Sequence, residues 1–116
     1  MTSYMNESYA IAKYVRVSAS KSRRVLKQIQ GKNCHEARLI LEFMPYKSAR
    51  TIIKILESAL SNLKQKQNNS IENKKIIITS AFANKGPTLK RFQPRAQGRA
   101  FPIKKQTCHI HINIKK

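Results

Sequence analysis

Residues 107–115 read Thr-Cys-His-Ile-His-Ile-Asn-Ile-Lys, an alternation of polar and apolar side chains. Such alternation is typical of a strand with one buried face, because successive side chains point to opposite sides of a sheet. The three isoleucines are therefore predicted to face the core, and His109, His111 and Asn113 to face outward. The pattern predicts a sheet that is covered by other elements on one side only.

A long basic segment, residues 84–105, precedes this strand and exceeds the length of an ordinary hairpin turn. It carries seven Lys or Arg residues, no acidic residue, three prolines and two glycines. Its few apolar residues cannot offset the entropy of ordering it alone. Two interpretations remain, a disordered basic segment or a two-stranded arm ordered against a polyanion. Legs of about ten residues would give the arm a reach of roughly 30 Å.

Arginines recur every fourth residue within this segment, at positions 91, 95 and 99. The guanidinium fork suits bidentate contacts with phosphate. Phe92 and Phe101 suit either stacking on unpaired bases or packing across the arm, and the sequence does not separate these alternatives.

Two further strands are predicted upstream, at residues 9–17 and 74–82, where β-branched and aromatic residues are concentrated. With the last strand they form a small, mostly antiparallel sheet. Residues 1–8 are predicted to be an N-terminal extension, and residues 9–116 a single domain that includes the extended basic hairpin at about 84–105.

Three helices are predicted between the first two strands. The first follows Ser18 or Ser20 and stops at Gly31, a residue that suits the left-handed position after a helix. The second begins at a capping box, Asn33 with Glu36, and stops before a proline. In the third, apolar residues recur at spacings of three and four, while Lys47, Arg50 and Lys54 form a basic stripe. The predicted class is α+β, with three helices packed on a three-stranded antiparallel sheet and a long β-hairpin protruding between the last two strands.

The charge balance is the strongest indication of function. The chain has 116 residues with 24 Lys and Arg against 5 Asp and Glu, a formal net charge of +19. After Glu72, 44 residues carry eleven cations and no acid. A chain so charged repels itself unless a polyanion neutralises it, which indicates a nucleic acid as partner.

Several other classes are disfavoured. No apolar run approaches the roughly 20 residues that span a bilayer, and residues 1–7 resemble neither a signal nor a transit peptide. Cys108 alternates with His109 and His111 on one strand, and adjacent Cys34-His35 lacks zinc-site spacing, so no metal or cofactor is predicted. No carboxylate lies near His109 in the sequence to orient it, which disfavours an enzyme such as a small basic nuclease. A DNA-compacting protein would share the charge but would not need an internal arm rich in Gly and Pro.

The arm and last strand share an ordered series of motifs with a known family. The series is Gly86-Pro87, Lys90-Arg91, Pro94-Arg95-Ala96, Gly98-Arg99-Ala100, Lys104-Lys105 and Cys108-His109-Ile110. Upstream, the series continues in Arg16, Ser18-Ala19, Lys21, Arg23, Gly31-Lys32, Leu56-Glu57-Ser58-Ala59 and Asn62. The chain resembles the family of large-subunit ribosomal protein twenty-two, in its bacterial and organellar form, over about residues 10–115.

The resemblance implies a structural constituent of the large ribosomal subunit without catalytic activity. It implies binding to large-subunit ribosomal RNA, support of subunit assembly, and a hairpin that helps line the nascent-peptide exit tunnel. The implied partners are that RNA, neighbouring large-subunit ribosomal proteins and the nascent polypeptide, with no membrane. An abundance of Lys, Ile and Asn, whose codons are AT-rich, favours a plastid stroma, with a bacterial cytoplasm as the alternative.

The resemblance and the basic pattern together give a set of candidate residues. Contacts with ribosomal RNA are predicted at Arg16, Lys21, Arg23, Lys47, Lys85, Lys90, Arg91, Arg95, Arg99, Lys104, Lys105 and His109. The tunnel-lining tip of the hairpin is predicted at Lys90, Arg91, Phe92, Gln93, Pro94, Arg95 and Ala96.

Overall fold

The computed structural model describes residues 7–67, 73–94, 98 and 100–116, and it describes the backbone alone at residues 67, 73, 89–94 and 100–105. The elements follow in the order β1 (Glu7–Val15), α1 (Ala19–Ile29), α2 (Cys34–Phe43), α3 (Lys47–Gln67), a short 3₁₀ helix (Asn73–Lys75), β2 (Ile77–Lys85), β3 (Leu89–Pro94), β4 (Ala100–Lys105) and β5 (Cys108–Lys115). This arrangement confirms the predicted α+β class.

The last strand, β5, lies at the centre of the main sheet. It pairs antiparallel with β1 on one side and with β2 on the other. Ile110, Ile112 and Ile114 are fully buried, while His109 and His111 are half-buried on the opposite face. The predicted alternation is therefore confirmed, and the helices cover one face of the sheet only.

The helices bury their predicted apolar stripes against this face. Helix α3 packs on β1 and β5, α1 packs on β2, and α2 lies against α1 and α3. Leu26, Leu41, Leu56 and Leu63, contributed by all three helices, are at most 1% exposed. These contacts form one hydrophobic core that includes the isoleucines of β5.

Local signals fix the end of α1 and the start of α2. The side chain of Asn33 accepts a hydrogen bond from the Glu36 backbone N–H at 2.8 Å, which confirms the cap of α2. Gly31 follows α1 with φ of 83°, a left-handed conformation that glycine adopts at little cost. Ser18 precedes α1, but its hydroxyl lies 3.0 Å from that of Ser20 and makes no capping bond.

Two strands differ in their bounds from the prediction. β1 begins at Glu7 and ends at Val15 instead of spanning 9–17, so residues 7 and 8 of the predicted extension pair with β5. The strand ends early because the register shifts between Ala12 and Val15, and Tyr14 takes a positive φ of 59°. The Val17 N–H then bonds the Val15 carbonyl at 2.8 Å, which turns the chain toward α1.

β2 begins three residues later than predicted. It spans 77–85 instead of 74–82 because residues 73–75 form the 3₁₀ helix. The carbonyl of the buried Ile76 accepts a bond from the Cys34 N–H at 2.8 Å, so this part of the chain is joined to α2 and not to the sheet.

Strands β3 and β4 form a separate two-stranded antiparallel hairpin between β2 and β5, where the long hairpin was predicted. Within the described residues they pack mainly against each other. The radius of gyration is 17.4 Å, compared with about 13 Å for a compact chain of this length. Within the described residues each paired leg has six residues, and residues 86–88 and 106–107 connect the hairpin to the domain. Residues 95–97 and 99, which include Arg95, Ala96 and Arg99, lie outside the described residues.

A close contact at Gly86 joins the hairpin to the domain. The Gly86 N–H bonds the Thr107 carbonyl at 2.9 Å, and the Thr107 hydroxyl bonds the Pro87 carbonyl. A Cβ added at Gly86 would lie 2.7 Å from Thr107 Oγ1 and 3.3 Å from the Thr107 backbone. Only a residue without a side chain fits this approach.

We expect Gly86→Ala to lower the free energy of unfolding by about 1–3 kcal/mol, because the new methyl group overpacks this contact. Urea denaturation of the full chain measures this loss. In a Thr107→Ala background the nearest clashing atom is gone, so the same substitution should cost less there. Equal costs in both backgrounds would contradict the contact.

Candidate nucleic-acid interface

A basic groove lies where α1 and α3 begin. It has a volume of about 470 Å³ and contains no acidic residue. Its lining residues are Arg16, Val17, Ser18, Lys21, Arg24, Pro45, Tyr46, Lys47 and Ser48. Three of the predicted RNA contacts, at positions 16, 21 and 47, are therefore brought together, although they are far apart in the sequence.

Two of these cations lie at helix N-termini, where a positive charge is usually unfavourable. Lys21 lies in the first turn of α1 and Lys47 is the first residue of α3, and neither first turn contains an acid. The N-terminus of a helix carries partial positive charge, so lysine there is unfavourable unless an anion is bound. Backbone N–H groups at such an end also bind phosphate directly. Two helix starts and four cationic side chains thus form a site suited to a polyanion.

Proline and tyrosine connect the two parts of the groove. Pro45 follows the end of α2, and α3 begins two residues later, which places its first turn beside α1. Tyr46 is 48% exposed in this connection and also lines a smaller adjoining groove of about 300 Å³ with Lys47 and Arg50. The ring gives the groove an apolar surface on which a base or sugar can stack.

Three residues that line the two grooves were not among the predicted RNA contacts. Arg24 lies one turn after Lys21, and its i, i+3 spacing on the predicted helix could have indicated it. Arg50 belongs to the predicted basic stripe of the third helix, whereas Lys54 of that stripe lies further along α3, outside both grooves. No sequence pattern singles out Tyr46.

Arg23 and Lys85 lie away from the basic groove, near the end of β2, where the chain enters the hairpin. The Arg23 Nε donates a hydrogen bond to the Ala83 carbonyl at 3.0 Å and so joins α1 to β2. Lys85 is the exposed last residue of β2 and pairs with Cys108. These two predicted contacts are separate from the groove and lie where the chain enters the hairpin.

His109 holds the irregular part of β1. Its Nδ1 accepts a hydrogen bond from the Tyr14 N–H at 3.1 Å, and the two rings meet edge to face at 4.9 Å. The imidazole therefore stabilises the positive-φ conformation of Tyr14. Contact of His109 with RNA stays a prediction.

The described strands of the hairpin carry Lys90, Arg91, Lys104 and Lys105, four more of the predicted contacts. The register sets Lys90 opposite Lys104, Arg91 opposite Ile103 and Leu89 opposite Lys105. Like charges directly opposite each other destabilise an antiparallel pair in the absence of a counterion. Phe92, Gln93 and Pro94, which were predicted to lie at the tip, are the last three residues of β3.

The two cysteines are packing residues. Both are buried, and burial raises the pKa of the Cys34 thiol to about 12. Burial also raises the pKa of the Cys108 thiol. The hydrogen bond with Ser22 and the charge of Arg23 lower this pKa by a smaller amount. Both thiols are therefore neutral near pH 7. Among the described residues no group of three His, Cys, Asp or Glu side chains could hold a metal ion.

The whole domain matches one known family. Residues 10–115 match the family described as ribosomal protein L22p/L17e. The chain belongs to the ribosomal protein L22p/L17e family. Membership confirms the predicted resemblance and makes the chain a structural ribosomal protein and not an enzyme.

Curated relatives of the L22p/L17e family include proteins of red algae and of cyanobacteria. The chain is 54% identical to "Large ribosomal subunit protein uL22c" of Porphyra purpurea, covering 98% of this chain and 97% of that protein. It is 58% identical to the protein of the same name from Gracilaria tenuistipitata, with the same coverage. It is 52% identical to "Large ribosomal subunit protein uL22" of Synechococcus elongatus, covering 94% and 92%. The relatives therefore include both plastid and cyanobacterial proteins.

Proposed function

We propose that the protein is a constituent of the large ribosomal subunit that binds large-subunit ribosomal RNA through the basic groove and the hairpin. The observation that carries this proposal is the groove itself, four cations without an acid at two helix starts, in a chain of a ribosomal family. The groove fixes the domain on phosphates, and the hairpin extends the basic surface. Recognition is of RNA shape and phosphate position.

The hairpin is proposed to help line the nascent-peptide exit tunnel, with residues 90–96 at its tip and the nascent polypeptide as a transient neighbour. Its six-residue legs and its separation from the domain core support a role at a distance from the groove. Through two separate RNA contacts the protein would hold RNA segments together and so support assembly. Neighbouring large-subunit proteins are the other proposed partners. In the described part of the chain, no helix has the length and apolar character needed to cross a membrane.

The salt dependence of RNA binding tests the electrostatic part of the proposal. If about ten phosphates are neutralised, a plot of log affinity against log salt should have a slope on the order of −7 to −9. Fluorescence anisotropy with a labelled fragment of large-subunit ribosomal RNA, between low and moderate salt, gives this slope. A flat response would contradict binding through phosphates.

Sedimentation of tagged protein from its native cell extract tests the ribosomal and plastid parts. We expect it to migrate with large subunits and to carry large-subunit ribosomal RNA, whose sequence identifies the compartment. Plastid RNA is the proposed outcome, supported by the plastid relatives and by the AT-rich residue usage. Bacterial RNA would instead indicate a bacterial cytoplasm, and migration with DNA would contradict the ribosomal role.

A further inference from the structure

Helix α2 presents an exposed apolar pair that the RNA-binding surfaces do not use. Leu39 is 43% exposed, and Phe43 at 84% is the most exposed large hydrophobic residue described. They are four residues apart, so they lie one above the other on the outer face of α2. The buried side of the same helix is formed by Cys34, Ala37 and Leu41. This outer face is therefore free of the domain core.

Carboxylates flank this pair. At 100° per residue, Glu36 and Glu42 fall on opposite sides of the stripe formed by Leu39 and Phe43. Both glutamates are exposed. The outer face of α2 thus includes an apolar stripe with one acidic side chain on each side, and the exposed His35 lies on the Glu42 side.

A third glutamate extends the acidic side. Arg38 contacts Glu42 at 3.2 Å and Glu57 of α3 at 2.9 Å, so its guanidinium lies toward α3. Two of the five glutamates of the chain thus pair with one arginine, and Glu36 lies on the other side of the apolar stripe, in a protein whose net charge is +19. We define the α2 patch as Glu36, Leu39, Glu42, Phe43 and Glu57.

The charge of this patch determines which partner fits it. The patch has three carboxylates against the one guanidinium of Arg38, so its net negative charge repels the phosphates of ribosomal RNA. The cations of the groove lie instead at the starts of α1 and α3. A protein segment with an apolar side chain and neighbouring Lys or Arg would match both the stripe and its flanks.

We propose that the α2 patch docks a basic segment of another protein. An apolar side chain of that segment packs on Leu39 and Phe43, and its cations pair with Glu36 and Glu42. This inference depends on the proposed function only in that the partner is sought inside the large subunit.

Site-specific photo-crosslinking in assembled large subunits tests this inference. The full chain carries p-benzoylphenylalanine in place of Phe43, or in place of Leu39 as a second position. The side chain at 43 is almost fully exposed, so the replacement leaves the core intact. We expect the crosslinked peptide, identified by mass spectrometry, to be rich in Lys and Arg and to come from another protein.

The same group in place of Tyr46 serves as the matched control. Tyr46 lines the basic groove, so it should crosslink to ribosomal RNA. Absence of RNA at position 46 would count against the proposed function and leave the α2 patch to be judged on positions 39 and 43. If position 46 crosslinks, then RNA, an uncharged or acidic peptide, or no product at both α2 positions would overturn the inference.

A charge variant separates specific docking from mere proximity. Glu42→Lys should lower the yield of the position-43 product by roughly tenfold, because an attractive pair becomes a repulsive one. Glu7→Lys makes the same change of charge at the sheet edge, where Glu7 pairs with Lys115, and should leave the yield unchanged. Equal yields in both variants would also overturn the inference.

Discussion

Replacing Arg16, Lys21 and Lys47 together by glutamate is expected to weaken binding to large-subunit ribosomal RNA by about a thousandfold. Each lost contact between a cation and a phosphate costs about tenfold at moderate salt. The salt slope should also become shallower by about 2 to 3. Fluorescence anisotropy with a labelled RNA fragment measures both quantities.

The thermal stability of this triple variant should not fall together with its affinity for RNA. Lys21 and Lys47 lie at helix starts, where glutamate interacts more favourably with the helix dipole than lysine does. The triple variant should therefore unfold at the same temperature as the natural chain or slightly higher. A large loss of thermal stability would mean that these residues support the fold. The loss of RNA binding would then reflect unfolding and not the loss of phosphate contacts.

A matched variant controls for net charge. Lys27, Lys32 and Lys64 are exposed and do not line either groove, and their replacement by glutamate changes the charge by the same amount. This control should lose far less affinity than the groove variant. If both variants lose affinity equally, the groove has no special role and only the overall charge of the chain matters.

The elements of the fold could be predicted because their local patterns agree with their burial. In α3 the apolar residues from Ala49 to Leu63 recur with helical spacing, and most of them are buried. In β5 the alternation of isoleucine with polar residues matches a sheet that is covered on one face. Local preference and tertiary packing support the same structure in both elements.

The strand ends could not be predicted because the residues there do not distinguish a strand from a turn. Val15 and Val17 favour a strand equally, yet the chain turns between them. The positive φ of Tyr14 has no signal in the sequence, since tyrosine rarely adopts it. It is stabilised by His109, a residue 95 positions away.

Only part of the candidate site could be predicted from the sequence, for a similar reason. Arg16, Lys21 and Lys47 could be selected as basic residues, but only the packing of α1 beside the start of α3 brings them into one groove. Arg23 and His109 were selected in the same way, and they make hydrogen bonds within the domain. A sequence shows which residues are charged, whereas the fold decides which of them share a surface.

Removal of the hairpin is expected to leave a folded domain with much weaker RNA binding. The deletion removes residues 87–106 and joins Gly86 to Thr107 through Asn-Gly, a pair that suits a two-residue hairpin turn. The join is compatible with the fold because Lys85 already pairs with Cys108, and the Gly86 N–H bonds the Thr107 carbonyl. Since β3 and β4 pack mainly against each other, the core should keep its contacts.

The deleted segment contains six Lys and Arg residues. If each neutralises one phosphate, the salt slope should become shallower by about 4 to 5. Anisotropy measures this slope, and thermal denaturation checks that the shortened chain is folded. An unfolded product would show that the hairpin contributes to the core, and an unchanged slope would show that its cations do not contact RNA.

Combining the deletion with the groove variant tests whether the two surfaces act separately. The groove lies at the starts of α1 and α3, whereas the hairpin leaves the domain after β2, so they share no lining residue among those described. Independent sites give free-energy losses that add. Additive losses would mean that the groove and the hairpin contribute independently to RNA binding, as two separate contacts require. A combined loss equal to that of one variant alone would mean that groove and hairpin act as a single contact, and the proposed role in assembly through two separate contacts would lose its physical basis.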